Sequence, residues 1–457
     1  MSTFGSWVGN NLLFSETLAS DKRTPCLIFT VPDFLVRLLF QMDNDGDGGQ
    51  SVADVKLGLL APRIEFWIAL IMALFLGALF GCFVSCIIYQ FIVLPQKKHS
   101  KKGGKNDVKT NSGSITPFLI GFGIIMPSCV ILPYYSLRYL CIKSKIIKFL
   151  GGTAQLTTFF RCSEAMFGFL PPNVENSLTN LIIYNAFPVE VKFNSNGALR
   201  SSWKTIQYNF VNFMKYLCIL GMYSSVLVAY NYMPSAEGPL LSDIDIRTGF
   251  TRQQLVNNLA IAVLFQLYLT TFGFGINFLT SMCGVQQIQL MLNPIFESSS
   301  PSDFWGRRWN LVIHGILKRG VYKPVRTRYS RWAASLAAFV ASGIFHEWLL
   351  SIVFYTDGDD DDNHEVVHTN KIIDSIIPGY GRNTLFFVWN AILIGLEYAF
   401  GGAAMFQLMK RHLPLTVVSL LVTSTALPMV HWFTNDYVRS DFFWDSQIGF
   451  PIIVRVQ

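Results

Sequence analysis

The chain has 457 residues, of which 51% are hydrophobic and 14% charged, against the roughly 25% charge usual in soluble domains. That balance excludes an ordinary soluble globular protein. Eight cysteines with no CxxC pair among them exclude a zinc ribbon or disulfide framework, and the net charge of +7 matters less for its size than for where it falls.

The first residues, MSTFGSWVGNNLLFSETLAS, lack a basic segment followed by an unbroken apolar core, so they do not read as a secretory signal. Insertion is expected to be directed by the first spanning helix. Apolar runs at 66–94, 115–137, 206–232, 255–281, 332–355, 384–408 and 414–434 reach about 20 residues, the length that crosses a bilayer as helix. Weaker stretches lie at 27–40 and 146–160. The pattern predicts an all-α, polytopic transmembrane bundle of about seven to nine spanning helices, forming one integral-membrane domain over 1–457. Pro117, Pro127 and Pro133 predict a kink or break in the second run.

Orientation follows from the cytoplasmic excess of Lys and Arg. Segments 96–109 and 306–331 are strongly basic, whereas 43–54, 234–247 and 357–365 are acidic and read as lumenal. From residue 200 onward the signs alternate as successive crossings require. Between 95 and 200 they do not, so a weak segment crosses there or a strong one re-enters.

Two strings suggest metals. In DNDGDGGQSVAD, Asp43, Asp45, Asp47, Gly48, Ser51 and Asp54 occupy positions 1, 3, 5, 6, 9 and 12 of a calcium loop. Asp54 is one carbon shorter than the usual bidentate Glu, so any calcium is weakly held and structural; the alternative is an acidic Gly-rich loop that happens to fit the pattern. HEVVH, 364–368, is a literal HExxH, in which His364 and His368 would share a helix face and Glu365 would serve as base. It follows DGDDDDN in a hydrophilic connection, where no apolar helix carries it.

The richest region is 285–355. Ser302 reads as an N-cap leading into the interfacial aromatics Phe304, Trp305 and Trp309, then Arg307, Arg308, Asn310 and a basic stretch. Within the next apolar run, ASGIFHEWLL places His346 and Glu347 among apolar neighbours. Position 350 is Leu, so this is not a second HExxH, and intramembrane ionisable groups are functional candidates by default. Glu347 lies about 100° around the helix from His346, which disfavours a simple dyad.

DFWGRRWN, a basic loop and ASGIFHE, in that order over about 301–350, resemble the wax synthase branch of the membrane-bound O-acyltransferase superfamily. The resemblance implies a helical bundle around a central tunnel and an acyl-CoA:alcohol O-acyltransferase making wax esters in the endoplasmic reticulum. Asn310 and His346 would be its active-site pair. Sterol and diacylglycerol acyltransferases share that pair; a metalloprotease at HEVVH and a non-catalytic lipid transport protein are the readings from other classes. The chemistry needs neither metal nor another cofactor, since the thioester is already activated. Desolvation disfavours imidazolium, leaving a buried His346 able to accept the alcohol proton, while the Asn310 amide positions or polarises the carbonyl. Arg307, Arg308, His314, Lys318, Arg319 and Lys323 are the candidate acyl-CoA receptor. Acyl-CoA, a lipid-soluble alcohol and membrane lipid are the expected partners; nucleic acid is not, because the basic patch abuts spanning helices.

Overall fold

The computed structural model describes residues 27–30, 55–59, 64–102, 115–139, 142, 144–229, 247–354, 381–401, 411–440, 442–445 and 451–455. The acidic loop with Asp43, Asp45, Asp47, Ser51 and Asp54, and the HEVVH string, lie outside these residues. Everything below concerns the described residues.

Helices dominate, as the apolar runs predict. The principal ones are α1 (Ile64–Ile88), α2 (Met126–Tyr139), α3 (Lys145–Met166), α4 (Leu178–Ala186), α5 (Trp203–Ala229), α6 (Arg252–Met282), α7 (Leu311–Leu317), α8 (Arg331–Val353), α9 (Arg382–Phe400), α10 (Leu415–Ala426) and α11 (Val430–Arg439). Six helical segments are long and apolar enough to cross a membrane: Leu74–Lys98, Thr116–Ser136, Arg252–Met282, Arg331–Val353, Arg382–Phe400 and Leu415–Arg439. Their outward faces carry large apolar side chains such as Phe83 (66% exposed), Leu119 (61%) and Ile344 (59%). An apolar exterior of this kind is stable only in lipid. The protein is a multi-pass helical membrane protein.

Some details refine the sequence reading, which expects about seven to nine spans over the whole chain. Six of the described segments qualify, and α5, within the 206–232 run, is helical but is not among them. The weak 146–160 stretch becomes α3, a 22-residue helix largely buried in the bundle. It is weakly apolar because it packs against protein rather than lipid. The second span contains a π turn at Gly121–Ile125, where a Cβ on Gly121 would strike the Met166 side chain. Pro117 sits harmlessly in the first turn, Pro127 is the second residue of α2, and Pro133 lies in the interior of α2. Short strands, not foreseen in an all-α chain, form a three-stranded antiparallel sheet that pairs Leu27–Thr30 with Val55–Leu59 and Val55–Leu59 with Pro451–Arg455.

The main core gathers buried residues of α3, α6, α7, α8 and α11, including Ile147, Phe265, Ile316, Leu349 and Tyr437. A second cluster joins α1, the π turn, α3 and α4 through Ile88, Cys162 and Leu181. α8 and α9 approach closely at Gly343, where a Cβ would lie 2.5 Å from Thr384 Cα. One turn later, Glu347 Oε1 accepts from the Thr384 backbone N–H at 3.1 Å, capping the start of α9 from the neighbouring helix. Gly343→Ala should therefore force these helices apart and cost about 1–3 kcal/mol. A lowered unfolding temperature of the purified protein is the expected reading, and an unchanged one would remove the close-approach argument.

Candidate functional site

A large cavity of about 1270 Å³ runs through the bundle, and its walls are mainly apolar and aromatic with interspersed polar side chains, Asn310, His314 and His346 among them. That composition suits a long acyl chain or alcohol with chemistry at one point. The two residues singled out from the sequence therefore share one chamber, although 36 positions separate them along the chain.

α8 contributes one helical stripe to the cavity: Ser335, Ala338, Phe339, Ser342 and His346, at the i, i+3, i+4 spacing of one helix face. The His346 ring is enclosed by aromatics. It stacks on Phe387 (centroids 5.0 Å apart, 13° between planes) and meets Phe433 edge-on at 5.0 Å. Its Nδ1 is buried with no hydrogen-bond partner among the described residues, whereas the ring as a whole keeps access to the cavity. Van der Waals packing thus holds the imidazole, with no carboxylate in contact. Gly343 and Glu347 occupy the adjoining face toward α9, so the Ser-Gly-x-x-His-Glu string has one face on the cavity and one on the neighbouring helix.

Asn310 adopts a left-handed backbone, φ 38° and ψ 67°, and caps α7 by accepting the Ile313 N–H on Oδ1 at 3.3 Å. Asn tolerates this conformation better than other side chains. With Oδ1 turned to the cap, the amide nitrogen makes no hydrogen bond among the described residues and remains available to the cavity. Just before it, Phe304 and Trp309 stack at 5.4 Å, and Trp305 Nε1 donates to Asn390 Oδ1 at 3.0 Å. Phe304, Trp305, Trp309 and Asn390 all line the cavity.

The cationic residues proposed for acyl-CoA divide into committed and available groups. Arg308 pairs with Asp303 and Glu297, both at 2.9 Å, and donates to Leu292 O. Burial opposes ionisation of Asp303, but the Ser299 N–H and Arg308 together hold its carboxyl below the usual range. Arg319 is bound to Glu164 at 3.1 Å and Glu190 at 2.5 Å, with Tyr184 Oη at 3.2 Å. Both guanidiniums are thus held by carboxylates of the protein. His314 lines the cavity, and burial, with Lys318 and Arg319 adding repulsion, pushes its pKa down to about 4. It is neutral at pH 7 and offers a hydrogen bond rather than a charge. Arg307 and Lys318 are exposed, Lys318 at the cavity itself, while Lys323 is half-buried with Nζ 5.4 Å from the Phe169 ring.

The N-cap assignment also moves by two residues. Ser300 Oγ accepts the Asp303 N–H at 3.2 Å, whereas Ser302 donates its N–H and hydroxyl to the two Glu397 oxygens at 2.7 and 2.8 Å. Glu397, like Glu347, anchors one helix start to another element. His431 is buried but does not line the cavity. Sequence reading passed over Asn390 and Arg161, both at the cavity. The available signal was a polar or charged side chain within an apolar run.

Comparison with known proteins meets this geometry at its centre. The family model described as "Membrane bound O-acyl transferase family" matches residues 288–361, a segment that contains both Asn310 and His346. Probable long-chain-alcohol O-fatty-acyltransferase 9 of Arabidopsis thaliana is 31% identical over 137 residues, 28% of this chain and 34% of the relative. Acyl-CoA--sterol O-acyltransferase 1 of Arabidopsis thaliana is 40% identical over 68 residues, 13% of this chain and 20% of the relative. The long-chain-alcohol O-fatty-acyltransferase of Simmondsia chinensis is 44% identical over 63 residues, 12% and 18% respectively. The matches span about a third or less of these relatives' lengths. Over this segment the chain is similar to the membrane bound O-acyl transferase family, long-chain-alcohol O-fatty-acyltransferases among its relatives.

Proposed function

We propose that the protein is an acyl-CoA-dependent O-acyltransferase of the endoplasmic reticulum that esterifies a long-chain alcohol to a wax ester. The observation that carries this reading is the pair of open groups in one apolar cavity: an imidazole in an aromatic cage and an amide N–H donor on a cap residue. The acyl-CoA phosphates stay at the rim with Arg307, Lys318 and Lys323, and the acyl chain and alcohol enter the apolar chamber.

The hydroxyl oxygen of the alcohol attacks the thioester carbonyl carbon while His346 takes the hydroxyl proton. Charge developing on the carbonyl oxygen receives the Asn310 amide hydrogen bond. The C–S bond then breaks, and the leaving CoA sulfur recovers the proton from His346. No covalent acyl-enzyme is required.

A sterol acceptor is the second reading, favoured by the similarity to the sterol acyltransferase over the same segment. Membranes containing the protein, supplied with labelled acyl-CoA and a panel of fatty alcohol, sterol and diacylglycerol, decide between them. Wax ester as the main product is expected. A main product of sterol ester would replace the acceptor assignment, and no ester from any acceptor would remove the acyltransferase reading.

A further inference from the structure

Arg161, on α3, is 2% exposed and lines the cavity. Its Nη1 donates to Phe187 O at 3.1 Å, and its guanidinium lies 4.4 Å from the centre of the Tyr184 ring. Nε and Nη2 are buried with no partner, and the side chain makes no ion pair among the described residues. A buried guanidinium left with two unused donors costs several kcal/mol unless something binds it.

Two further unpaired atoms lie along the cavity wall. Thr153 Oγ1 and Asn185 Oδ1 are buried without partners, and both residues line the cavity. Thr153, Thr157 and Arg161 recur every four residues and so share one face of α3, a stripe of about 12 Å at 1.5 Å per residue. Asn185 lies two residues before Phe187, whose carbonyl Arg161 already holds. Arg161 needs an acceptor, whereas Asn185 Oδ1 needs a donor. A phosphate supplies the first and not the second, and burying one at so enclosed a position would strip its hydration. A secondary amide supplies both.

We propose that this stripe is the binding track for the amide-bearing pantetheine arm of the acyl donor, with an amide carbonyl accepting from Arg161 Nε and Nη2. The Asn185 Oδ1 takes an amide N–H of the same arm. This rests on the acyl-CoA reading above, and it adds a wall on α3 and α4 to the site built from the segment around Asn310 and His346.

The test compares acyl-CoA with acyl-pantetheine, which keeps the amides and lacks every phosphate. With the purified full chain, Arg161→Gln should raise the KM for both donors about tenfold, the loss of roughly one charge-assisted hydrogen bond. Acceptor KM should stay within twofold, and Arg161→Lys should recover part of the loss. A rise confined to acyl-CoA would assign Arg161 to a phosphate and overturn the amide track. A rise in acceptor KM instead, or no change, would also overturn it. Where Arg161→Gln fails to fold, the near-isosteric Thr153→Val is read by the same criteria, with a donor KM rise of about threefold expected. Wild-type protein that transfers acyl groups while both variants match it defeats this inference alone; wild type without transfer to any acceptor defeats the underlying reading with it.

Discussion

His346→Gln should lower the turnover rate for ester formation by about 10²- to 10⁴-fold, the usual worth of a positioned general base. KM for the donor should change little, because the imidazole acts on the acceptor proton and the loss falls on the transition state. The fold should survive, since the ring makes no hydrogen bond through Nδ1 and is held by Phe387 and Phe433 through packing. Turnover within tenfold of wild type, in a variant of unchanged melting temperature, would sink the base assignment. His314→Gln is the matching control. His314 is already neutral at pH 7, its pKa held near 4 mainly by burial. Its replacement should therefore leave the pH–rate profile between pH 6 and 8 unaltered.

The second large effect concerns Asn310, where two roles sit on one side chain. Oδ1 caps α7 and the backbone is left-handed, while the amide nitrogen is open to the cavity. Asn310→Gly accepts the positive φ without penalty and loses only a few tenths of a kcal/mol of capping. Its stability should be close to wild type while turnover falls by about 10²- to 10³-fold, the cost of removing one oxyanion donor. Asn310→Asp keeps the cap oxygen and should be equally inactive, because a carboxylate cannot donate. Asn310→Ala should lose activity and also about 2 kcal/mol, from the missing cap and the left-handed strain together. Full activity in Asn310→Gly would reduce Asn310 to a helix cap.

Local sequence carried much of this. Long apolar runs became spanning helices because hydropathy summed over about 20 residues is a local property. Asn310 and His346 stood out because each is a polar residue in a recognisable string, and both face one cavity. The same strings were silent where a residue's partner is remote. The basic stretch does not rank its cations, and Arg319 is held by Glu164, 155 positions away. The Ser302 cap failed for the same reason, since Glu397, 95 positions on, claims its hydroxyl and N–H.

Composition and hydropathy by themselves determined that the chain is a membrane-spanning helical bundle, and the strings in 301–350 supplied the resemblance that singled out Asn310 and His346. Only the tertiary structure decided which polar atoms are consumed and which are left open. Glu347, next to His346 in sequence, caps α9 through Thr384, whereas Arg161, inconspicuous in sequence, holds two unpaired donors at the cavity wall. The reason is physical: helix propensity and hydropathy depend on neighbours within a few turns. Satisfying a buried donor or charge depends on whatever the fold brings within about 3 Å.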